Sequence, residues 1–135
     1  MSTRRSIAQL AEMTAAADVP LARSRVMPRE VDAWLSLTHH GDPKVRSKAV
    51  RALCPCHVKR QDDRIWERIF EMASDEDAHV RSTILHALGD GSPRALEAQV
   101  VASLEAMRDD PDPSLRRRVR KLLASYRRTG KVNVL

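Results

Sequence analysis

With 135 residues, a formal net charge of +6 and only 3% aromatic residues, the chain can build one modest hydrophobic core but not two independent ones. Its apolar residues are mainly Ala, Leu, Val and Ile with few alternating β-branched runs, which argues against a sheet and for helices packed closely through small residues. No window approaches the roughly 18 uninterrupted apolar residues of a membrane span, and the N-terminus lacks the apolar run of a secretory signal, so the chain reads as soluble and cytoplasmic.

In chain order, residues 1–28 form an N-terminal extension. Its "RRSIAQLAEMTAAA" has the spacing of a short amphipathic helix edged by Ile7, Leu10 and Ala11, and "DVPLARSR" reads as a linker. The extension either caps the unit that follows or is mobile, and Met27 is an alternative start. A first helix is predicted over about 29–39 around Val31, Trp34 and Leu35. A second follows in "DPKVRSKAVRAL", with Asp42 as N-cap and Pro43 at the first helical position. Its Val45, Ala49, Ala52 and Leu53 make a single stripe. The pattern recurs as a helix over 61–74 (Ile65, Trp66, Ile69, Met72) and another in "DAHVRSTILHAL", carrying Val80, Ile84, Ala87 and Leu88 behind Asp77. It recurs again over 93–109 (Leu96, Val100, Val101, Leu104, Met107) and in "DPSLRRRVRKLL", where Leu115, Val119, Leu122 and Leu123 follow Asp112 and share an arc with Tyr126. Residues 131–135 are a short tail.

The three Asp-led segments align without gaps at a spacing of 35 residues, dividing residues 29–130 into units of about 29–57, 61–92 and 93–128. A lone helical pair cannot cover its own apolar face, so the units must stack. The expected fold is all-α, an α-solenoid of three antiparallel helix pairs behind an N-terminal extension.

The pattern "D-x-x-V-R-x-x-[AIV]-x-x-[AL]-L", seen in Asp42–Leu53, Asp77–Leu88 and Asp112–Leu123, resembles the second helix of the HEAT-repeat family in its short bacterial form. The resemblance covers about residues 29–130. It implies that Asp42, Asp77 and Asp112 together with Arg46, Arg81 and Arg116 form a structural ladder between neighbouring repeats. An Asp at a helix N-terminus and an Arg one turn later can indeed bond to adjacent turns. It also implies that second helices line the concave surface and first helices the convex one.

Charge separates by helix type. The three first helices carry five basic and nine acidic residues, whereas the second helices beyond their capping Asp carry twelve basic residues and no acidic one. If the family's geometry holds, a basic groove results, bearing Lys44, Lys48, Arg51, Arg117, Arg118, Arg120 and Lys121 with His79 and His86 between them. A polar helix face with good helix formers is the plainer account of any one of these helices. The complete lack of acids on all three favours an anionic partner.

"LCPCHVK" brings Cys54, Cys56 and His57 together at close spacing, with His86 on the neighbouring helix as the better-placed fourth candidate than His39 or His40. The spacing matches no common zinc framework, and a small-residue turn between repeats is the plainer reading. Neither a metal nor a cofactor is therefore expected. No nucleophile elbow, phosphate loop or metalloprotease motif occurs, so the chain does not read as an enzyme. The reading that follows is a non-catalytic adaptor binding an acidic protein segment through its basic surface. Sequence-tolerant binding of a DNA or RNA backbone by the same residues is the alternative, and self-stacking of solenoid ends a third. The oligomeric state is left open.

Overall fold

The computed structural model describes residues 30–54, 58 and 62–131. The expectations for residues 1–28, for Cys56 and His57, and for 132–135 lie outside these. The described residues form six α-helices: α1 (Val31–Leu37), α2 (Pro43–Leu53), α3 (Asp63–Met72), α4 (Ala78–Gly89), α5 (Glu97–Ala106) and α6 (Pro113–Thr129). The protein is all-α, and each odd-numbered helix pairs with the even-numbered helix that follows.

Each second helix begins as its sequence requires. Asp42, Asp77 and Asp112 adopt extended backbone and accept hydrogen bonds from the N–H groups of Lys44, Val80 and Leu115, at 2.9, 3.0 and 2.9 Å. Asp62 caps α3 in the same way through Arg64 N–H. Pro43 and Pro113 occupy the first turn, where no amide donor is needed. The last helix ends at Gly130, whose φ of 69° and N–H bond to the Tyr126 carbonyl form a left-handed cap that a β-carbon would strain. The third pair departs from expectation at its start. The segment after Pro93 makes a 3-10 turn over Arg94–Leu96 before α5 begins at Glu97.

All twelve stripe residues of the second helices are buried, as are Val31, Trp34, Leu37, Ile65, Trp66, Ile69, Met72, Val100, Leu104 and Met107 of the first helices. They form one core running through all three repeats. Two further buried residues, Val50 and Leu85, lie outside the predicted stripe. They occupy equivalent positions 35 residues apart and belong to a second apolar row, which a helix needs when it packs on a following repeat as well as on its own partner. Contact between α2 and α4 is the most extensive between any two helices, and α6 continues the row; the first helices α3 and α5 meet over a shorter stretch. The second helices thus make the crowded side of the stack.

Polar bonds lock the register between repeats. The Arg46 guanidinium donates twice to the Asp75 carboxylate, both at 3.1 Å, and also to the carbonyls of His40 and Gly41. Arg81 repeats the arrangement one unit later, donating to Asp110 at 2.8 and 3.0 Å and to the carbonyls of Asp75 and Glu76. Arg116 reaches the Asp110 carbonyl at 2.9 Å. Here the structure revises the ladder implied by the resemblance. Asp42, Asp77 and Asp112 cap their own helices, and the carboxylates that join repeats are Asp75 and Asp110, two residues ahead of the caps. These carboxylates also accept the backbone N–H of Asp77 and Asp112, at 2.9 Å each. A third type of tie, on the first-helix side, runs from Arg68 to the hydroxyl and carbonyl of Thr38.

Hydrogen bonding to Asp75 and Asp110 holds the Arg46 and Arg81 guanidinia above their ordinary pKa. Burial pushes the Asp110 carboxyl up, but the bonds from Arg81 and the Asp112 amide, with the charges of Arg81 and Arg116, outweigh it and leave it below the usual carboxylate value. Removing the carboxylate would strand a guanidinium whose side chain is 11% exposed. Asp110→Ala is therefore expected to cost about 3–5 kcal/mol, read as a lower midpoint in urea unfolding. Because the folded pKa is depressed, this stabilisation is complete above the unfolded value of about 4 and is lost as pH falls through the folded one. Asp110→Asn should flatten that acid limb of the stability curve.

Candidate functional site

The 35-residue register sets side chains of the three second helices in rows. One row holds Arg51, His86 and Lys121; the next holds Lys48, Thr83 and Arg118; a third holds Lys44, His79 and Ser114. Apart from Lys48 and Thr83, which are half-buried, these residues are exposed. The rows are tied laterally, with the Ser47 and Thr83 hydroxyls 2.7 Å apart and an Arg118 guanidinium nitrogen donating to the Ser82 hydroxyl at 2.7 Å. A shallow cavity opens here between α2, α4 and α6, with Val50 and Cys54 at its base and Arg51, His79, Ser82, Thr83, His86 and Arg118 around it.

Of the twelve basic residues on the second helices, Arg46 and Arg81 are buried in the ladder and Arg116 is half-buried beside it. Lys44, Arg51, Arg117 and Lys121 form no ion pair among the described residues. On the first-helix side the balance is opposite. The α3 cations are engaged, Arg64 with Asp32 and Asp62, and Arg68 with Glu71. Acidic side chains such as Glu67 and Glu97 remain on that side.

The expected basic set is therefore brought together only in part. Lys44, Lys48, Arg51, Arg118 and Lys121 share the second-helix surface. His86 sits at its edge, and its Nε2 lies 3.3 Å from the Asp90 carboxylate. Arg120 belongs elsewhere. Its position matches buried Val50 and Leu85, so it lies on the outer face of the third repeat, where it bonds the Arg108 carbonyl and the Asp109 carboxylate. Arg117, which matches Ser47 and Ser82, stands at the margin of the same end. Arg108, Asp109, Arg120, Leu123 and Arg127 line a second, more open depression there. Reading the columns Val50, Leu85, Arg120 and Ser47, Ser82, Arg117 down the period would have separated these two arginines from the rest.

Cys54 ends α2 buried, and its sulfur, a ring nitrogen of His86 and a carboxylate oxygen of Asp90 all lie within 4.8 Å of one another. Asp90 is absent from the sequence expectation because it follows the predicted helix as a turn residue. No helix among the described residues is long and apolar enough to cross a membrane.

Helix pairs stacked at constant register, with buried arginines joining consecutive turns, define an α-solenoid. Compared with models of protein families, the chain matches that of HEAT repeats over residues 31–124. It belongs to the HEAT-repeat family, whose members typically serve as scaffolds for protein–protein interaction. The comparisons with curated proteins and with solved structures gave no match.

The charged end residue yields a direct test. Arg120→Leu restores the apolar character of Val50 and Leu85 on the outer face, so sedimentation velocity should show stronger concentration-dependent self-association than in the parent protein. Folding stability should change by no more than about 0.5 kcal/mol, as for an exposed site.

Proposed function

We propose that this protein is a non-catalytic adaptor that binds an acidic segment of a partner protein along a basic groove formed by its second helices. The observation that carries the reading is the segregation of charge: twelve basic residues and no acidic one on the second helices, against five and nine on the first. The ladder withdraws Arg46 and Arg81 from that count, and the surface that remains is still basic through Lys44, Lys48, Arg51, Arg118 and Lys121. Membership of a family of interaction scaffolds supports a protein partner.

The chemistry of the cavity bears on the kind of partner. Val50 and Cys54 at its base, ringed by Arg51, Arg118, His79 and the Ser82 and Thr83 hydroxyls, suit a peptide that alternates carboxylates with small apolar side chains. A nucleic-acid backbone would use the cations and leave the apolar base unfilled. It would also gain little from stacking, since the one aromatic side chain of the second helices, Tyr126, is half-buried against the core.

Two measurements separate the readings. Binding of an acidic peptide should weaken by about tenfold or more in Arg51→Glu/Arg118→Glu/Lys121→Glu, mainly through slower association, because reversed charges repel the incoming carboxylates. A duplex oligonucleotide titrated across salt concentrations should bind weakly, without the steep logarithmic slope of about −0.9 per neutralised phosphate. A steep slope with tight low-salt binding, and no peptide bound, would establish the nucleic-acid reading in place of this one.

A further inference from the structure

We propose that Cys54, His86 and Asp90 form a binding site for a divalent transition-metal ion of the zinc class. The site lies between the first and second repeats, at one edge of the second-helix surface. It shares Cys54 and His86 with the cavity assigned above to a peptide, but it rests on a different observation, and its failure would leave the adaptor reading intact.

The first support is the donor set. A thiol, an imidazole and a carboxylate converge from α2, α4 and the turn after α4, with one donor atom from each within 4.8 Å of the others. Nitrogen, sulfur and oxygen donors in threes are the usual protein complement of an open tetrahedral zinc site. With bonds of the usual lengths, neighbouring nitrogen and oxygen ligands of one tetrahedral ion stand about 3.4 Å apart. His86 Nε2 and the Asp90 oxygen already stand 3.3 Å apart. The sulfur has further to close, and the exposed imidazole is free to turn toward it.

The second support is the repeat itself. The position of Cys54 is taken by Gly89 in the second repeat and Ala124 in the third, and that of Asp90 by Ser125 in the third. The fold asks only for a small residue where Cys54 stands, so the thiol is not required by packing. The third is electrostatic. Cys54 lies just beyond the last residue of α2, and His86 and Asp90 lie in the last turn and just beyond the end of α4. Two helix C-termini therefore direct their negative ends at the site, an arrangement that favours a cation.

Binding would replace the Cys54 S–H bond with a sulfur–metal bond and release that proton to solvent. The thiolate and the Asp90 carboxylate together balance the two positive charges of the ion. Arg51 and Arg118, which border the same cavity, then face a neutral centre rather than an added cation. The fourth coordination position opens toward the cavity and would take water or an anionic donor.

Titration of the reduced full-length chain with cobalt(II) tests the site, since a thiolate ligand gives an intense sulfur-to-cobalt absorption and tetrahedral geometry gives strong visible bands. One equivalent should bind with both signatures. Cys54→Ala, which copies Ala124 and should keep the fold by circular dichroism, is expected to abolish the sulfur band, while Cys56→Ser retains it. His86→Ala and Asp90→Asn should each weaken binding by at least about 10–100-fold, the loss that outer-shell changes alone can cause. Absence of the band at excess cobalt overturns the proposal. So does a band whose affinity is unaltered in both His86→Ala and Asp90→Asn, or one that follows Cys56 instead of Cys54.

Discussion

A helical pair of this size exposes more apolar surface than its two helices can cover between them, and the structure depends on how that surplus is hidden. The second helices of the first two repeats each carry one stripe against their own first helix and a second row, represented by Val50 and Leu85, against the next repeat. Apolar contact is tolerant of sliding, so it does not by itself choose a register. The Arg46–Asp75 and Arg81–Asp110 pairs supply that choice. Each guanidinium spans the turn of its own repeat and the carboxylate of the next, and each carboxylate also holds the amide of the capping Asp behind it. A shift of one residue would leave a buried guanidinium and a buried carboxylate unpaired, which costs far more than a few lost van der Waals contacts.

The surface inherits its order from that register. Once the repeats are locked at equal spacing, cations placed one period apart become neighbours across helices, and Arg51, His86 and Lys121 form a row although 35 residues separate each from the next. The ladder also sharpens the charge contrast. It takes two arginines out of the second-helix surface and leaves Lys44, Arg51 and Lys121 there without an ion pair among the described residues, while Arg64 and Arg68 of the opposite side are bound to carboxylates there. The same lateral closeness brings the end of α2 beside the end of α4, so that Cys54 meets His86 and Asp90.

Much of the fold was legible because helix signals are local. The Asp caps, the prolines at the first turn and the apolar stripes all act within one or two turns, and each appears where the 35-residue period puts it. The start of α5 was less legible, since Pro93 allows either a helix or the tighter turn that the chain takes. The candidate site was legible in composition and only partly in place. Arg120 looked like its neighbours on one helical wheel, and its column, Val50 then Leu85 then Arg120, reveals it as part of the charged outer face of the third repeat. Asp75 and Asp110 were equally visible in retrospect, in a column that begins with His40. That histidine takes the same amide bond, from Asp42, at 3.0 Å.

The amino-acid sequence by itself determined the helices, their caps, the number and length of the repeats and the bias of charge toward the second helices, because each is a property of residues near in the chain. Only the tertiary structure decided which carboxylates meet Arg46 and Arg81, which cations share a surface and which stand at the end, and that a thiol, an imidazole and a carboxylate meet between two repeats. Those outcomes turn on packing between segments about thirty residues apart. No single helix carries the distance and angle at which its neighbour will dock.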